Sequence, residues 1–305
     1  MTKAAQSRDT SPGKESPRPA GPTEAGAASG CDRSGAQASR PARARGENGE
    51  ARAFDAAIFD LDGVVTETAA VHAEAWKRMF DEFLRHRARR RGEPFREFTQ
   101  GGDYRAYVDG RPRYRGVESF LASRGLALPP GTPADEPQAE TVCGLGNRKD
   151  ELFREILAAG GVKVFPGTLA LIGELRAAGI RVGLATSSRN SALVLAGTPA
   201  AGLFATIVDG MVLARLGLRG KPEPDIFALA AANLGVRRDR AIVIEDAVAG
   251  VQAGAAGGFA LVVGVAREGN AEELRKNGAD VVVGDLAEVN MEELNRLVRR
   301  LRRAG

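Results

Sequence analysis

The ten residues FDLDGVVTET (residues 59–68) decide the fold of this chain. The apolar residues Ala56–Phe59 run straight into them and predict a buried strand. That strand ends in two carboxylates, Asp60 and Asp62, which are separated by one leucine and have no basic neighbour in the sequence. Like charges at such short range repel each other, so distant parts of the chain must supply what offsets them.

From residue 163 onward, predicted strands alternate with predicted helices. The strands are the apolar segments IRVGLAT, ATIVDG, RAIVIED, FALVVGV and ADVVVGD. This alternation indicates the α/β class, with a Rossmann-like parallel sheet covered by helices on both faces. A mostly helical stretch, residues 67–162, interrupts the alternation after the first strand, so we interpret it as an inserted helical cap domain. The α/β core then comprises residues 53–66 and 163–290, and residues 291–305 form a C-terminal helix that packs on it.

The composition excludes several classes of protein. Residues 1–52 contain no Val, Ile, Leu, Phe, Trp or Tyr, so we predict that they form a disordered tail. The two cysteines, Cys31 and Cys143, fit neither a metal site nor a disulfide framework, which favours the reducing cytoplasm. No apolar run reaches the roughly 18 residues that span a bilayer, so we expect no membrane partner.

Two arginine-rich runs, residues 85–91 and 296–303, contribute to a net charge of +4 over 305 residues. Neither run contains interleaved aromatic residues or a nucleic-acid reader motif, so we interpret both as exposed helix faces. We therefore expect no nucleic-acid partner, and a monomer is the default expectation.

Polar residues stand at the ends of the predicted strands. In a parallel sheet, the carboxyl ends of the strands form the edge where ligands bind. The residues that meet there are four acids, one lysine and one hydroxyl: Asp60, Asp62, Glu245, Asp246, Lys221 and Thr186. Carboxylate oxygens are hard ligands that suit Mg²⁺, so a bound ion can neutralise Asp60, Glu245 and Asp246 together.

This group of residues predicts phosphoryl-transfer chemistry. Asp60 can act as a nucleophile, with Asp62 as the acid and base beside it. Lys221 and Thr186 can hold the oxygens of a phosphoryl group, although Thr186 can also serve only to cap the next helix. Lys221 is flanked by Gly220 and Pro222, which fix its place on a loop.

Four segments, DLDGVVTET, LATSSRN, GKPEPD and IEDAVAG, occur in this order at the strand ends. Together they resemble the four motifs of the haloacid dehalogenase superfamily of phosphotransferases. Within it, VHAEAW and DAVAGVQA make the chain similar to the β-phosphoglucomutase family. The resemblance implies a Mg²⁺-dependent mutase that interconverts β-glucose 1-phosphate and glucose 6-phosphate through a bisphosphorylated sugar and a phosphorylated Asp60.

The resemblance also assigns roles to single positions of this chain. The implied catalytic residues are Asp60, Asp62, Thr186 and Lys221. The implied metal ligands are Asp60, Asp62 through its backbone carbonyl, Glu245 and Asp246. The implied binding residues for the sugar and its second phosphate, including the specificity loop of the cap, are Gly110, Arg113, Ser188, Arg189, Asn190, His72, Trp76 and Lys149.

Several of these assignments have a structural alternative. Glu245 can stand behind the metal instead of binding it, and Arg113, which lies among other arginines, can be a solvated charge. His72 and Trp76 can belong to the packing of the cap.

Two departures from the family leave other activities open. Glu67 stands where the mutases usually have Asp, and the cap contains an inserted RHRARRRGEPF segment. One alternative is a phosphatase for a small sugar phosphate, in which water takes the phosphoryl group from Asp60. Another is a non-catalytic binding protein, which is disfavoured because every required acid is present. The mutase is favoured because Arg113, Ser188 and Asn190 offer a grip for a second phosphate.

Overall fold

The computed structural model describes residues 52–267 and 269–304. The predicted disordered tail therefore falls, apart from Arg52, outside the described residues. The strands are β1 (Ala56–Phe59), β2 (Arg181–Ala185), β3 (Thr206–Val208), β4 (Ala241–Glu245), β5 (Leu261–Val265) and β6 (Val281–Val283). They form one parallel sheet in the order β3-β2-β1-β4-β5-β6. The predicted Rossmann-like α/β class is confirmed.

Strand β1 occupies the middle of the sheet, between β2 and β4. All four of its residues are buried, as expected where helices cover both faces of a parallel sheet. Phe59 stands opposite Leu184 of β2 and Ile244 of β4. The Asp60 N–H extends this pairing by donating to the Ile244 carbonyl at 2.9 Å. The residues that follow these three strands therefore emerge side by side at one edge of the sheet.

Helices surround the sheet and fill the stretch that follows β1. They are α1 (Ala69–Arg91), α2 (Arg113–Ser123), α3 (Val142–Gly160), α4 (Pro166–Ala177), α5 (Ser191–Leu195), α6 (Gly210–Leu216), α7 (Asp225–Asn233), α8 (Val248–Ala256), α9 (Ala271–Lys276) and α10 (Met291–Ala304). A π-helical segment, Gln100–Val108, lies between α1 and α2. Among the described helices, none combines the length and apolar character needed to cross a bilayer.

Three of these helices differ from the sequence prediction. The pattern predicts a helix over residues 189–202, but α5 covers only Ser191–Leu195. Gly197 has a φ of +73° and Pro199 follows it, and neither residue continues a helix. Helices α6 and α9 have no counterpart in the prediction. The Asp209 carboxylate starts α6 by accepting two backbone N–H groups at 3.0 Å.

The arginine-rich runs lie at the ends of helices. Helix α1 continues to Arg91, so residues 85–91 form its last turns, where only Arg87 among the arginines is half-buried. In α10, Leu294 and Val298 are buried against the sheet side while the arginines are exposed or half-buried. The prediction of exposed helix faces is confirmed except at these half-buried arginines.

The inserted helices have an aromatic core of their own. The Phe80 ring lies 5.1 Å from that of Phe98 and 4.1 Å from that of Phe120, between ring centres. The two chain connections to this insert run side by side, because the Glu67 N–H donates to the Lys163 carbonyl at 2.9 Å. Both features support the division into core and cap, which stays a prediction.

Candidate active site

The positive charge that offsets Asp60 is Lys221. Its Nζ donates to Asp60 Oδ1 at 2.5 Å and also to Glu245 Oε1. The Lys221 side chain is completely buried, so Lys221 is not an ordinary surface lysine. Burial alone would lower the pKa of Lys221, but the carboxylates of Asp60 and Glu245 raise it above that of a free lysine. Lys221 therefore carries its charge at neutral pH.

Three carboxylates crowd around the end of β1 and β4. Asp60, Glu245 and Asp246 each offer an oxygen within 4.8 Å of the others. Gly63 makes this approach possible, because it has a φ of +93° and a Cβ there would lie 1.8 Å from Asp246 Oδ2. Burial and the neighbouring carboxylates raise the pKa of Asp60 and of Asp246 well above that of a free aspartate. One ammonium thus leaves negative charge that a hard divalent cation can neutralise.

The three acids are not equally able to bind such a cation. Glu245 Oε2 accepts the backbone N–H groups of Asp246 at 2.9 Å and Ala247 at 3.0 Å, and Oε1 accepts from Lys221. Both Glu245 oxygens are thus engaged. Among the described residues, no donor reaches the Asp246 carboxylate. The arrangement fits a cation held by Asp60 and Asp246, with Glu245 standing behind them.

Asp62 lies in a different environment from Asp60. Its Oδ1 accepts from Thr68 Oγ1 at 2.5 Å and lies 3.2 Å from His72 Nε2. Its Oδ2 accepts from Thr186 Oγ1 at 3.3 Å. Burial opposes ionisation of Asp62, but His72 and Thr68 outweigh it and lower its pKa to about 2. Asp62 is therefore ionised at neutral pH and able to accept a proton.

Thr68 is a site residue that the sequence analysis missed. It immediately precedes α1, and its hydroxyl also pairs with that of Thr66 at 2.7 Å. Thr66 in turn donates to the Leu61 carbonyl at 3.1 Å. The two threonines, placed two residues apart after a strand that ends in acids, were the available signal.

His72 and Lys149 connect the insert to Asp62. Lys149 Nζ lies 2.5 Å from His72 Nδ1, and the His72 ring stacks on Phe153 at 4.1 Å. Lys149 Nζ also lies 5.2 Å from the centre of the Trp76 ring. Burial, together with the Arg113 guanidinium, lowers the pKa of Lys149 to about 7. Burial and Lys149 likewise lower the pKa of His72.

The low pKa of Lys149 predicts a pH-dependent stability. Between pH 7 and about 10.5 the unfolded chain binds a proton at this lysine that the folded chain does not, so stability rises with pH. We expect the free energy of unfolding of the unmodified protein, minus that of Lys149→Met, to rise by at most about 1.4 kcal/mol per pH unit in this window. Urea unfolding of both proteins from pH 7 to 9 measures this difference.

Lys163→Met is the matched control, because Lys163 is exposed. A flat difference between the unmodified protein and Lys149→Met across this pH range would contradict the lowered pKa.

A second polar group lies away from the acids, where insert and core meet. Arg113, at the start of α2, donates from Nη2 to Asp150 Oδ1 at 2.7 Å. Its side chain is only 13 % exposed, so it is not a solvated charge. Arg189 Nη1 donates to the Tyr114 hydroxyl at 3.4 Å, and Ser187 Oγ donates to the Gly110 carbonyl at 2.7 Å. The insert thus contacts the loop after β2.

One cleft with about 590 Å³ of empty space joins the two groups. The predicted site residues that line it are Asp60, Asp62, His72, Trp76, Gly110, Arg113, Lys149, Thr186, Ser188, Arg189, Asn190, Glu245 and Asp246. Lys221 lies beneath it, in contact with Asp60. Tyr104 and Asp109 also line it and were missed, because an irregular stretch of the insert carries them and no pattern marks them.

Comparisons with known proteins agree with this geometry. Residues 54–258 match the family model for haloacid dehalogenase-like hydrolases. A β-phosphoglucomutase of Mycobacterium bovis is 49% identical over 237 residues, which cover 77% of this chain and 90% of the relative. A β-phosphoglucomutase of Bacillus subtilis is 34% identical, with 79% and 93% covered. The crystal structure of a β-phosphoglucomutase from Clostridium difficile superposes with a TM-score of 0.64 at 25% identity, covering 82% of this chain and 99% of that one.

Proposed function

This chain belongs to the haloacid dehalogenase-like hydrolase family, and from that premise we propose that it is a Mg²⁺-dependent mutase that interconverts β-glucose 1-phosphate and glucose 6-phosphate. The observation that carries the proposal is the cleft with two polar ends. One end holds the carboxylates and Lys221, and the other holds Arg113, Arg189 and Asn190. A sugar with two phosphates needs both ends, whereas simple hydrolysis needs only the first.

In the first half of the reaction, the 6-hydroxyl of β-glucose 1-phosphate attacks the phosphorus of phosphorylated Asp60. A P–O bond to the sugar forms, and the P–O bond to Asp60 breaks. Asp62, which is ionised in the free protein, accepts the hydroxyl proton. Lys221 stabilises the released Asp60 carboxylate, to which it is already hydrogen-bonded.

In the second half, the bisphosphorylated sugar reorients within the cleft so that its 1-phosphate faces Asp60. Asp60 attacks the phosphorus of the 1-phosphate, the bond from that phosphorus to the C1 oxygen breaks, and Asp62 returns its proton to this oxygen. Glucose 6-phosphate leaves, and Asp60 is again phosphorylated. Asp60, Asp246 and the Asp62 carbonyl would hold Mg²⁺, with Glu245 behind them, and the bound ion would neutralise charge on the phosphoryl oxygens.

The insert acts as a lid in this proposal. Arg113, Lys149 and His72 approach the cleft from the insert, whereas Asp60 and Asn190 belong to the core. Closing the insert over the sugar excludes water, which would otherwise take the phosphoryl group from Asp60.

Incubation with β-glucose 1-phosphate, Mg²⁺ and a trace of the 1,6-bisphosphate tests the proposed function. We expect glucose 6-phosphate as the main product. Free phosphate as the main product, with little glucose 6-phosphate, would show a phosphatase instead.

The variant Arg113→Ala distinguishes the roles of the two ends of the cleft. Loss of a hydrogen bond from a charged donor should lower kcat/KM for β-glucose 1-phosphate by roughly 10- to 100-fold. The rate at which acetyl phosphate phosphorylates Asp60 should fall far less, because acetyl phosphate has no second phosphate. Both rates are measurable, the second by trapping the phosphoprotein.

Arg115→Ala provides the matched control, since Arg115 lies on the same helix and pairs outside the cleft with Glu118 at 2.9 Å. Equal damage by Arg113→Ala to both reactions would contradict its role in holding the second phosphate.

A further inference from the structure

A single oxygen of Asp150 connects Arg113 and Asn190, two of the residues that we expect to bind the second phosphate of the sugar. It lies in α3, and its Oδ1 accepts from Arg113 Nη2 and from Asn190 Nδ2, both at 2.7 Å. Arg113 belongs to the insert, and Asn190 belongs to the core loop that follows β2. The Asp150 side chain is 14 % exposed and is not among the residues that line the cleft.

The bond pattern leaves Arg113 free to bind a ligand as well. A guanidinium has five N–H donors, and the contact with Asp150 uses the Nη2 edge. A phosphate in the cleft can therefore be held by the remaining donors while Asp150 fixes the plane of the guanidinium. Bidentate recognition of phosphate by arginine depends on that orientation.

The charge balance around Asp150 also favours anion binding. Its second oxygen, Oδ2, pairs with Arg154 at 3.0 Å, so two guanidinium groups share one carboxylate. Arg189 adds a further positive charge close to Arg113. Asp150 thus orients its partners without cancelling their net positive charge.

We propose that Asp150 is a positioning residue that couples Arg113 of the insert to Asn190 of the core, so that the grip on the second phosphate forms as one unit when the insert lies against the core. This inference rests on the proposed mutase function, whose distal phosphate it concerns. Asp150 itself touches neither the sugar nor the reacting atoms.

Three variants test the inference by steady-state kinetics with β-glucose 1-phosphate and by calorimetric binding of β-glucose 1,6-bisphosphate. Asp150→Ala should raise KM and the dissociation constant by roughly 10- to 100-fold, with a much smaller change in kcat, because it removes a shared charge-assisted acceptor. Asp150→Asn should recover most of that loss, since its amide oxygen can accept both bonds while exposed Arg154 turns away.

Glu151→Ala is the matched control. Glu151 is the next residue on the same helix, is exposed, and pairs with Arg148 at 3.2 Å. The substitution Glu151→Ala should leave KM unchanged. Thermal unfolding of all three variants shows whether any effect is a loss of folding, which Asp150→Asn would then avoid.

The outcomes separate the inference from the proposed function. If the unmodified protein makes glucose 6-phosphate and Asp150→Ala leaves KM unchanged or lowers it, the inference is wrong and the function stands. If the unmodified protein releases only free phosphate, the mutase function is wrong, and the bisphosphate affinities of the variants still decide the role of Asp150. Failure of Asp150→Asn to recover affinity would also overturn the inference.

Discussion

Asp60→Asn is expected to abolish sugar-phosphate interconversion, lowering kcat by about 10⁴-fold or more, because an amide cannot replace a carboxylate as the nucleophile. The geometry predicts that activity is lost because the nucleophile is missing and not because the protein unfolds. Burial raises the pKa of Asp60, and the carboxylates of Glu245 and Asp62 raise it further, so the folded protein holds the charge of Asp60 at a cost. Removing that charge should leave the melting temperature unchanged or slightly higher.

Three measurements check this prediction: the rate of glucose 6-phosphate formation, the incorporation of phosphate from acetyl phosphate, and thermal unfolding. Asp55→Asn is the matched control, because Asp55 precedes β1 at its opposite end and pairs there with Arg240 at 2.6 Å. Substantial phosphate incorporation by Asp60→Asn would place the nucleophile elsewhere and overturn the mechanism.

The sequence predicts the fold and the acid cluster for the same physical reason. Fully buried parallel strands must be apolar throughout, so a polar residue directly after such a strand marks its carboxyl end. Asp60, Thr186 and Asp246 follow this rule, and Glu245 is the last residue of β4. Pairing in the middle of the sheet brings them together. Lys221 is predictable because Gly220 and Pro222 set it on a loop.

Residues that act through tertiary contacts leave no such signal. Asp150 looks like any acid on an amphipathic helix, and only the packing of α3 places it 2.7 Å from both Arg113 and Asn190. Tyr104 reaches the cleft from the π-helical segment and Asp109 from the position directly after it, and the residue spacing of this segment matches neither a regular helix nor a strand. The insert is therefore the least predictable part of the site.

Lys221→Met should cause the largest loss of stability among single substitutions at the site. The ammonium is completely buried between Asp60 and Glu245, and its removal leaves two buried carboxylates without a counter-charge. Removing one partner of a buried ion pair typically lowers the free energy of unfolding by about 3–5 kcal/mol. We expect a loss of this order in the free energy of unfolding by urea without added metal. Lys276→Met is the control, because Lys276 is exposed and pairs with Glu272 on the surface of α9.

Magnesium should restore much of this loss, because a cation bound at Asp60 and Asp246 supplies the charge that Lys221 no longer provides. The stabilisation by Mg²⁺ should therefore be larger for Lys221→Met than for the unmodified protein. A chelator that removes divalent cations should abolish this difference between the two proteins. Activity should stay low even with saturating Mg²⁺, since the Lys221 contact to the departing Asp60 carboxylate is still missing. Equal stabilisation of both proteins by Mg²⁺ would contradict a shared role of the lysine and the cation in holding the acids together.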